Sequence, residues 1–152
     1  TGRFAVWPVL ETSPLSQEDR DSFTPDARPG TPLLDCMLQD ASGKQSWLSD
    51  LIGDDFCLVI YSDHAGFDAA QKKASNISNT VFPLRVISIA AQAQNGSLAD
   101  TQSSFTKQYD TQPGTTYLFR PDQHVLARMR HCDMDAIIHA MRRALALEET
   151  RS

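Results

Sequence analysis

The strongest nucleophiles in the 152-residue chain are three cysteines, at positions 36, 57 and 132. A dithiol redox centre needs two of them in a Cys-x-x-Cys pair, one attacking and one resolving, with a helix N-terminus holding the thiolate. No such pair occurs. Cys36 and Cys57 sit inside apolar, strand-like runs, where a thiol behaves as a small hydrophobe. Cys132 precedes Asp133 at an expected helix start and should be partly exposed. A peroxide-reducing thiol would want a Thr shortly ahead of a helix-start Cys, and none is so placed. Asp63 and His64 form either an acid/base pair or a helix cap beside a solvated imidazole. His131, Cys132 and His139 do not share one helix face, so a zinc site is not expected. Arg120, Arg128, Arg130, Arg142 and Arg143 cluster late in the chain. They read as a solvated face, with an anion- or partner-contacting edge as the alternative. On these grounds no catalytic, cofactor-binding or metal-ligating residue is assigned.

The elements that would carry these residues follow from periodicity. Phe56-Cys-Leu-Val-Ile-Tyr61 and Leu84 to Ala90 read as central strands covered on both faces. Leu33 to Leu38 reads as a short strand, and Asp40-Ala-Ser-Gly43 as a turn. Ser46 is expected to cap a short helix through Ile52, stopped by Gly53. Phe67, Ala70, Ala74 and Ile77 recur at helical spacing. Asn95-Gly96 turns the chain into Ser97-Leu-Ala-Asp100, a capping-box variant. Leu98, Phe105 and Tyr109 give the helix behind it one apolar face. Thr116 to Arg120 and His124 to Arg130 form a hairpin, with Val125, Ala127 and Met129 on one side and Leu126, Arg128 and Arg130 on the other. Asp133 caps a last helix with Met134, Ile137, Ile138, Met141, Ala144 and Leu145 inward, and with Asp135, His139 and Arg143 outward. Strands alternating with helices imply an α/β protein, and the closing hairpin makes its sheet mixed.

Five of the eight prolines (8, 14, 25, 29 and 32) lie in the first 32 residues, so this stretch should be extended. It contains an apolar cluster, Phe4, Val6, Trp7, Val9 and Leu10, and then a polar middle. It reads as a flexible leader or as a linker docking its apolar start on another domain. The expected division is a leader, 1–28, and a body, 29–150. Thr1 in place of Met predicts a piece of something longer. A net charge of −5 and pI near 5.2 argue against nucleic acid as a partner. No apolar run reaches membrane-span length. An odd cysteine count without Cys-x-x-Cys fits a reducing cytoplasm.

Ser46-Trp-Leu-Ser-Asp-Leu-Ile-Gly53 with Phe56 to Tyr61, and Tyr117-Leu-Phe-Arg120-Pro-Asp122-Gln-His124-Val125, resemble segments of a known domain. It is the C-terminal thioredoxin-like domain of FAD-dependent aromatic hydroxylases, the phenol hydroxylase group of flavin monooxygenases. The resemblance covers about residues 13–147. It implies a thioredoxin-like fold: a mixed central sheet, helices on both faces, a closing hairpin and a C-terminal helix. It implies a parent enzyme using FAD and NAD(P)H to hydroxylate an aromatic ring. Within that parent, this chain would pack on the preceding FAD and substrate domains and support subunit contacts, possible homodimer contacts included. The alternative is a free-standing, redox-inactive thioredoxin-like binding module. Gln123 stands where the family often has Gly, and no Gly-x-Gly-x-x-Gly occurs, so no FAD site is expected in this chain. The junction Ser62-Asp-His-Ala-Gly66-Phe67 carries no sulfur where a redox-active thioredoxin has its cysteines. Gly114 falls where such proteins place a Pro, with Pro113 one residue off.

Overall fold

The computed structural model describes Asp19 and residues 21–80, 83–93 and 96–151. The expected cluster Phe4, Val6, Trp7, Val9 and Leu10, and Asn95 of the expected turn, lie outside the described residues. The chain runs β1 (Met37–Gln39), β2 (Gln45–Trp47), α1 (Leu48–Ile52), β3 (Phe56–Tyr61), α2 (His64–Thr80), β4 (Leu84–Ala90), β5 (Leu98–Ala99), α3 (Ser104–Gln108), β6 (Thr116–Phe119), β7 (Val125–Met129) and α4 (Met134–Arg151). The strands form one sheet in the order β2-β1-β5-β4-β3-β6-β7. β4 pairs parallel with both β3 and β5, and every other pairing is antiparallel.

β3 sits inside the sheet, between β4 and β6, because nothing in Phe56–Ile60 needs water. Alternate side chains of a strand point to opposite faces, and both sets are buried here. Phe56, Leu58 and Ile60 join Leu118, Met129, Ile137 and Met141 in the core beneath α2 and α4. Cys57 and Val59 join Leu48, Ile52, Phe105, Tyr109, Tyr117 and Phe119 on the α1 and α3 side. Both faces of β3 are therefore covered, as its unbroken apolar run requires; β4 departs from that pattern at Arg85, which is exposed.

Several local expectations fail for identifiable reasons. The first strand starts at Met37, not Leu33, and Cys36 lies just before it, its carbonyl accepting from the Leu48 N–H at 2.9 Å. Ser46 does not cap a helix; it pairs with Leu38 in the β1–β2 hairpin. The capping of α1 comes instead from Asp35, whose carboxylate accepts from the Ser49 N–H (3.0 Å) and hydroxyl (2.6 Å). Ser97 to Asp100 holds strand β5 rather than a helix start, with Leu98 in that strand. Asp100 acts further along, accepting from the Phe105 and Thr106 N–H groups and the Thr106 hydroxyl. The expected alternation of β7 is broken by a bulge: Leu118 faces Ala127 and Phe119 faces Val125, leaving Leu126 opposite neither. The extra residue puts Val125 on the opposite face from Ala127 and Met129, the usual effect of a bulge.

Leu58 has no exposed surface and sits at the centre of the α2/α4 core. Leu58→Ala should lower the unfolding free energy by about 2–5 kcal/mol, the range for a buried Leu truncated in a packed core. Urea unfolding checks this, and a change within 1 kcal/mol or so would mean the two-sided burial is misplaced.

Candidate functional site

The β3–α2 junction is where this architecture would hold a reactive group. Ser62 takes a left-handed φ of 51°, and its N–H donates to the Ile89 carbonyl at 2.7 Å. Asp63 turns its carboxylate onto the first turn of α2, accepting from the Gly66 N–H at 2.9 Å, while its carbonyl accepts from the Phe67 N–H. A Cβ on Gly66 would strike that carboxylate. His64 points elsewhere: its Nε2 lies 3.4 Å from Asp68 Oδ2, and both side chains are more than half exposed. Asp63 and His64 are thus engaged separately, and no proton relay joins them.

Opposite the junction, Gly114 donates its N–H to the Tyr61 carbonyl at 2.7 Å. Its φ is 97°, and a Cβ there would lie 2.9 Å from both the Arg130 carbonyl oxygen and the His131 ring. Only glycine fits this approach without displacement.

The thiols are held in the neutral form. Burial pushes Cys36 up to about 12, with the Asp100 and Asp35 carboxylates adding to it. Burial raises Cys57 further, against the opposing charge of Arg85. Half-buried Cys132 is pushed up to about 11, first by burial and then by Asp133 and Asp63. Its Sγ sits 3.7 Å from Met134 Sδ. A carboxylate beside a thiol is the reverse of the electropositive setting that activates one. Among the described residues no group of His, Cys, Asp or Glu could hold a metal ion.

The late arginines overturn the expectation of a solvated face. Arg120 is fully buried and forks onto Asp122 (Nε–Oδ1 3.1 Å, Nη2–Oδ2 2.9 Å), which also accepts from the His124 N–H. Gln123 between them adopts a φ of 65°. Its Nε2 donates to the Ser49 and Gly53 carbonyls, at 2.8 and 2.9 Å, at the C-terminal end of α1. Those contacts offset the backbone strain of a left-handed non-glycine residue. Arg128 is 5% exposed and bound to Asp19. Arg130 is half-buried against Asp110; the Thr24 N–H and then Arg130 hold the Asp110 carboxyl below its ordinary range. Only Arg142 and Arg143 lie on an exposed face. The Arg120–Asp122 pair had a local signal in its spacing, whereas the partner of Arg128 lies 109 residues away.

Beneath these residues is a stack of aromatics. Phe105 and Tyr109 stack at 4.6 Å, and Tyr109 meets Tyr117 edge-on at 4.9 Å. The Tyr109 hydroxyl donates to the Leu34 carbonyl (2.7 Å) and accepts from its N–H (2.8 Å). The Tyr117 hydroxyl donates to the Tyr109 carbonyl at 2.6 Å. Burial holds both phenols neutral, Tyr117 up to about 12. An open groove of about 690 Å³ between α2 and β4 is lined by Asp68, Gln71, Lys72, Ala74, Ser75, Leu84 and Val86. Its one hydroxyl, on Ser75, donates to the Gln71 carbonyl, so no activated nucleophile faces the groove.

The family model of the HcaD C-terminal domain matches residues 30–144. No curated protein matches the chain by sequence. Among solved structures, the chain is similar to aklavinone-11 hydroxylase in complex with FAD and aklavinone. The TM-score is 0.68 at 20% identity, over 88% of this chain and 25% of that one. It is similar to the flavin-dependent monooxygenase PieE with FAD and substrate (TM-score 0.61, 19% identity, 91% and 23%). It is also similar to a thioredoxin-like protein from Bacteroides caccae (TM-score 0.55, 22% identity, 84% and 51%). The fold is thioredoxin-like. The chain spans about a quarter of the length of the two monooxygenases.

Raised thiol pKa values set a pH dependence. The unfolded thiols ionise near 9.0, whereas the folded ones hold their protons to about 11 for Cys132 and about 12 for Cys36. This contribution to stability is fully present below pH 9 and is lost as pH rises through the folded values. The urea midpoint should fall over that interval and fall less in a Cys36→Ser/Cys132→Ser variant. At pH 8 Cys132 should react about a hundredfold more slowly than an unperturbed thiol, and Cys36 and Cys57 only after urea is added. Fast labelling of all three in the native state would refute the placement.

Proposed function

The chain belongs to the HcaD C-terminal domain family, and on that premise we propose that it is a non-catalytic accessory domain of an FAD-dependent aromatic monooxygenase. Its task is to pack against the preceding FAD and substrate domains and to support subunit contacts. The division into a leader, 1–28, and a body, 29–150, and a cytoplasmic setting belong to the same proposal. No helix among the described residues is long and apolar enough to cross a membrane.

The observation that carries the reading is the match to a quarter of two flavin monooxygenase chains, joined to a β3–α2 junction without a reactive group. FAD, with NAD(P)H as reductant, supplies the hydroxylation chemistry in such a parent. The residues of this chain do not fit FAD. A dinucleotide phosphate needs a glycine-rich turn and free N–H groups at a helix N-terminus. Here the Asp63 carboxylate already occupies the first turn of α2 and would repel a phosphate.

Purified chain should be colourless and should not reduce insulin disulfides with a dithiol reductant. Stoichiometric flavin absorbance, or turnover abolished by Cys132→Ser, would defeat the reading of the junction. The parentage is tested in the gene. A Gly-x-Gly-x-x-Gly fingerprint encoded upstream of Thr1 is the expected result. A start codon directly before Thr1 would favour a free-standing binding module instead.

A further inference from the structure

We propose that Arg128 and Arg130 form a receptor for the chain's own acidic–aromatic segment, and that Asp19, Asp21 and Phe23 close onto it as a clasp that opens without unfolding the body. The three residues recur at a spacing of two, and all three meet the same two arginines. Arg128 and Arg130 have the same spacing along and just beyond β7.

The match is residue by residue. The Asp19 carboxylate accepts from Arg128 Nε (2.9 and 3.0 Å) and Nη2 (2.7 Å). A forked pairing of this kind fixes direction as well as distance. The Asp21 carboxylate accepts from the Arg130 N–H at 2.9 Å, capping the backbone past the end of β7. The Phe23 ring lies under both guanidiniums, 4.6 Å from Arg128 and 3.9 Å from Arg130. Its edge meets Tyr117 at 6.1 Å and 71°. The Ser22 carbonyl accepts from Arg130 Nε and Nη2. The Thr24 N–H donates to the Asp110 carboxylate at 3.0 Å, and Arg130 Nη2 reaches the same oxygen at 2.8 Å.

The contacts are side-chain in character and shallow. Asp21, Ser22 and Thr24 are exposed and Phe23 only half-buried. A segment with little buried apolar area opens at a smaller free energy than the whole domain. Phe23 rests on the rim of the core that holds Tyr117 and Val125, both of which are fully buried. When the clasp opens, Arg128, whose side chain is 2% exposed, loses its carboxylate and its aromatic cover together. The surface then bared is cationic and aromatic, and complementary to one acidic segment. On the accessory-domain reading, the clasp fixes the point and direction at which preceding polypeptide meets the sheet. As a property of this chain it stands without that reading.

Amide hydrogen exchange on the full chain tests it, read at Thr24 and Arg130 with Val59 of β3 as the internal reference. In the native chain both amides should be protected. Asp19→Asn and Phe23→Ala should each speed exchange at both positions by about tenfold or more. Val59 should be unaffected, and Asp26→Asn, a change at a neighbouring exposed residue, should alter neither. The proposal is overturned if Thr24 exchanges as fast as in a free peptide of residues 16–27, or if neither variant moves it. It is equally overturned if Val59 accelerates by the same factor, since the segment would then open only with the domain. The parentage reading is untouched by either result, because it is decided by the upstream gene sequence.

Discussion

Everything else in the molecule is arranged around a strand buried over all but its last residue. The backbone of β3 pairs with β4 on one side and β6 on the other, and its side chains from Phe56 to Ile60 are buried above and below. Such a strand requires a helical layer on each face and at least one crossover to bring a parallel neighbour alongside. α2 is that crossover. The low dielectric it creates also decides the chemistry: a thiol such as Cys57, deep in that layer, is stable only as the neutral group. A core built this way positions a junction after β3 but supplies it with nothing reactive.

Charge is brought into this apolar frame only where it is answered at once. Arg120 and Arg128 are nearly or fully removed from solvent, each facing a carboxylate in forked geometry. Pairs like these rarely add much net stability, because desolvation offsets the attraction, but an unanswered partner is costly. What they supply is specificity of arrangement. Arg120 and Asp122 shape the β6–β7 turn, Gln123 ties that turn to α1, and the loop ends of two separate elements are held in register.

The long elements were legible from side-chain type alone. β3 and β4 carry the same bounds as their apolar runs, and the face of α4 follows its 3.6-residue repeat, because both depend on burial summed over many residues. The failures are local and share a cause. Ser46 and Ser97 carry helix-capping chemistry, but strand pairing overrides it: Leu38 pairs with Ser46 itself, and β4 pairs with Leu98 and Ala99 directly behind Ser97. The bulge at Leu126 shifts a single residue and leaves no compositional mark. The arginines looked like solvent-facing charge because their aromatic cover, Phe23, and the carboxylate of Asp19 lie about a hundred residues upstream. At the candidate site the lack of sulfur at the β3–α2 junction was plain in the sequence, but the separate engagement of Asp63 and His64 needed coordinates.

The outer edge of β7 is covered where the strand begins. The Gly30 N–H donates to the Val125 carbonyl, the Val125 N–H to the Thr31 carbonyl, and Pro32 bridges to His124. Pro32 has no N–H to offer outward, so the covering segment cannot itself be extended by a further strand. An unpaired edge is a template on which identical chains stack into fibrils. By laying a proline-bearing strip along the first residue of β7, the chain shortens the stretch of open edge on which another strand could stack.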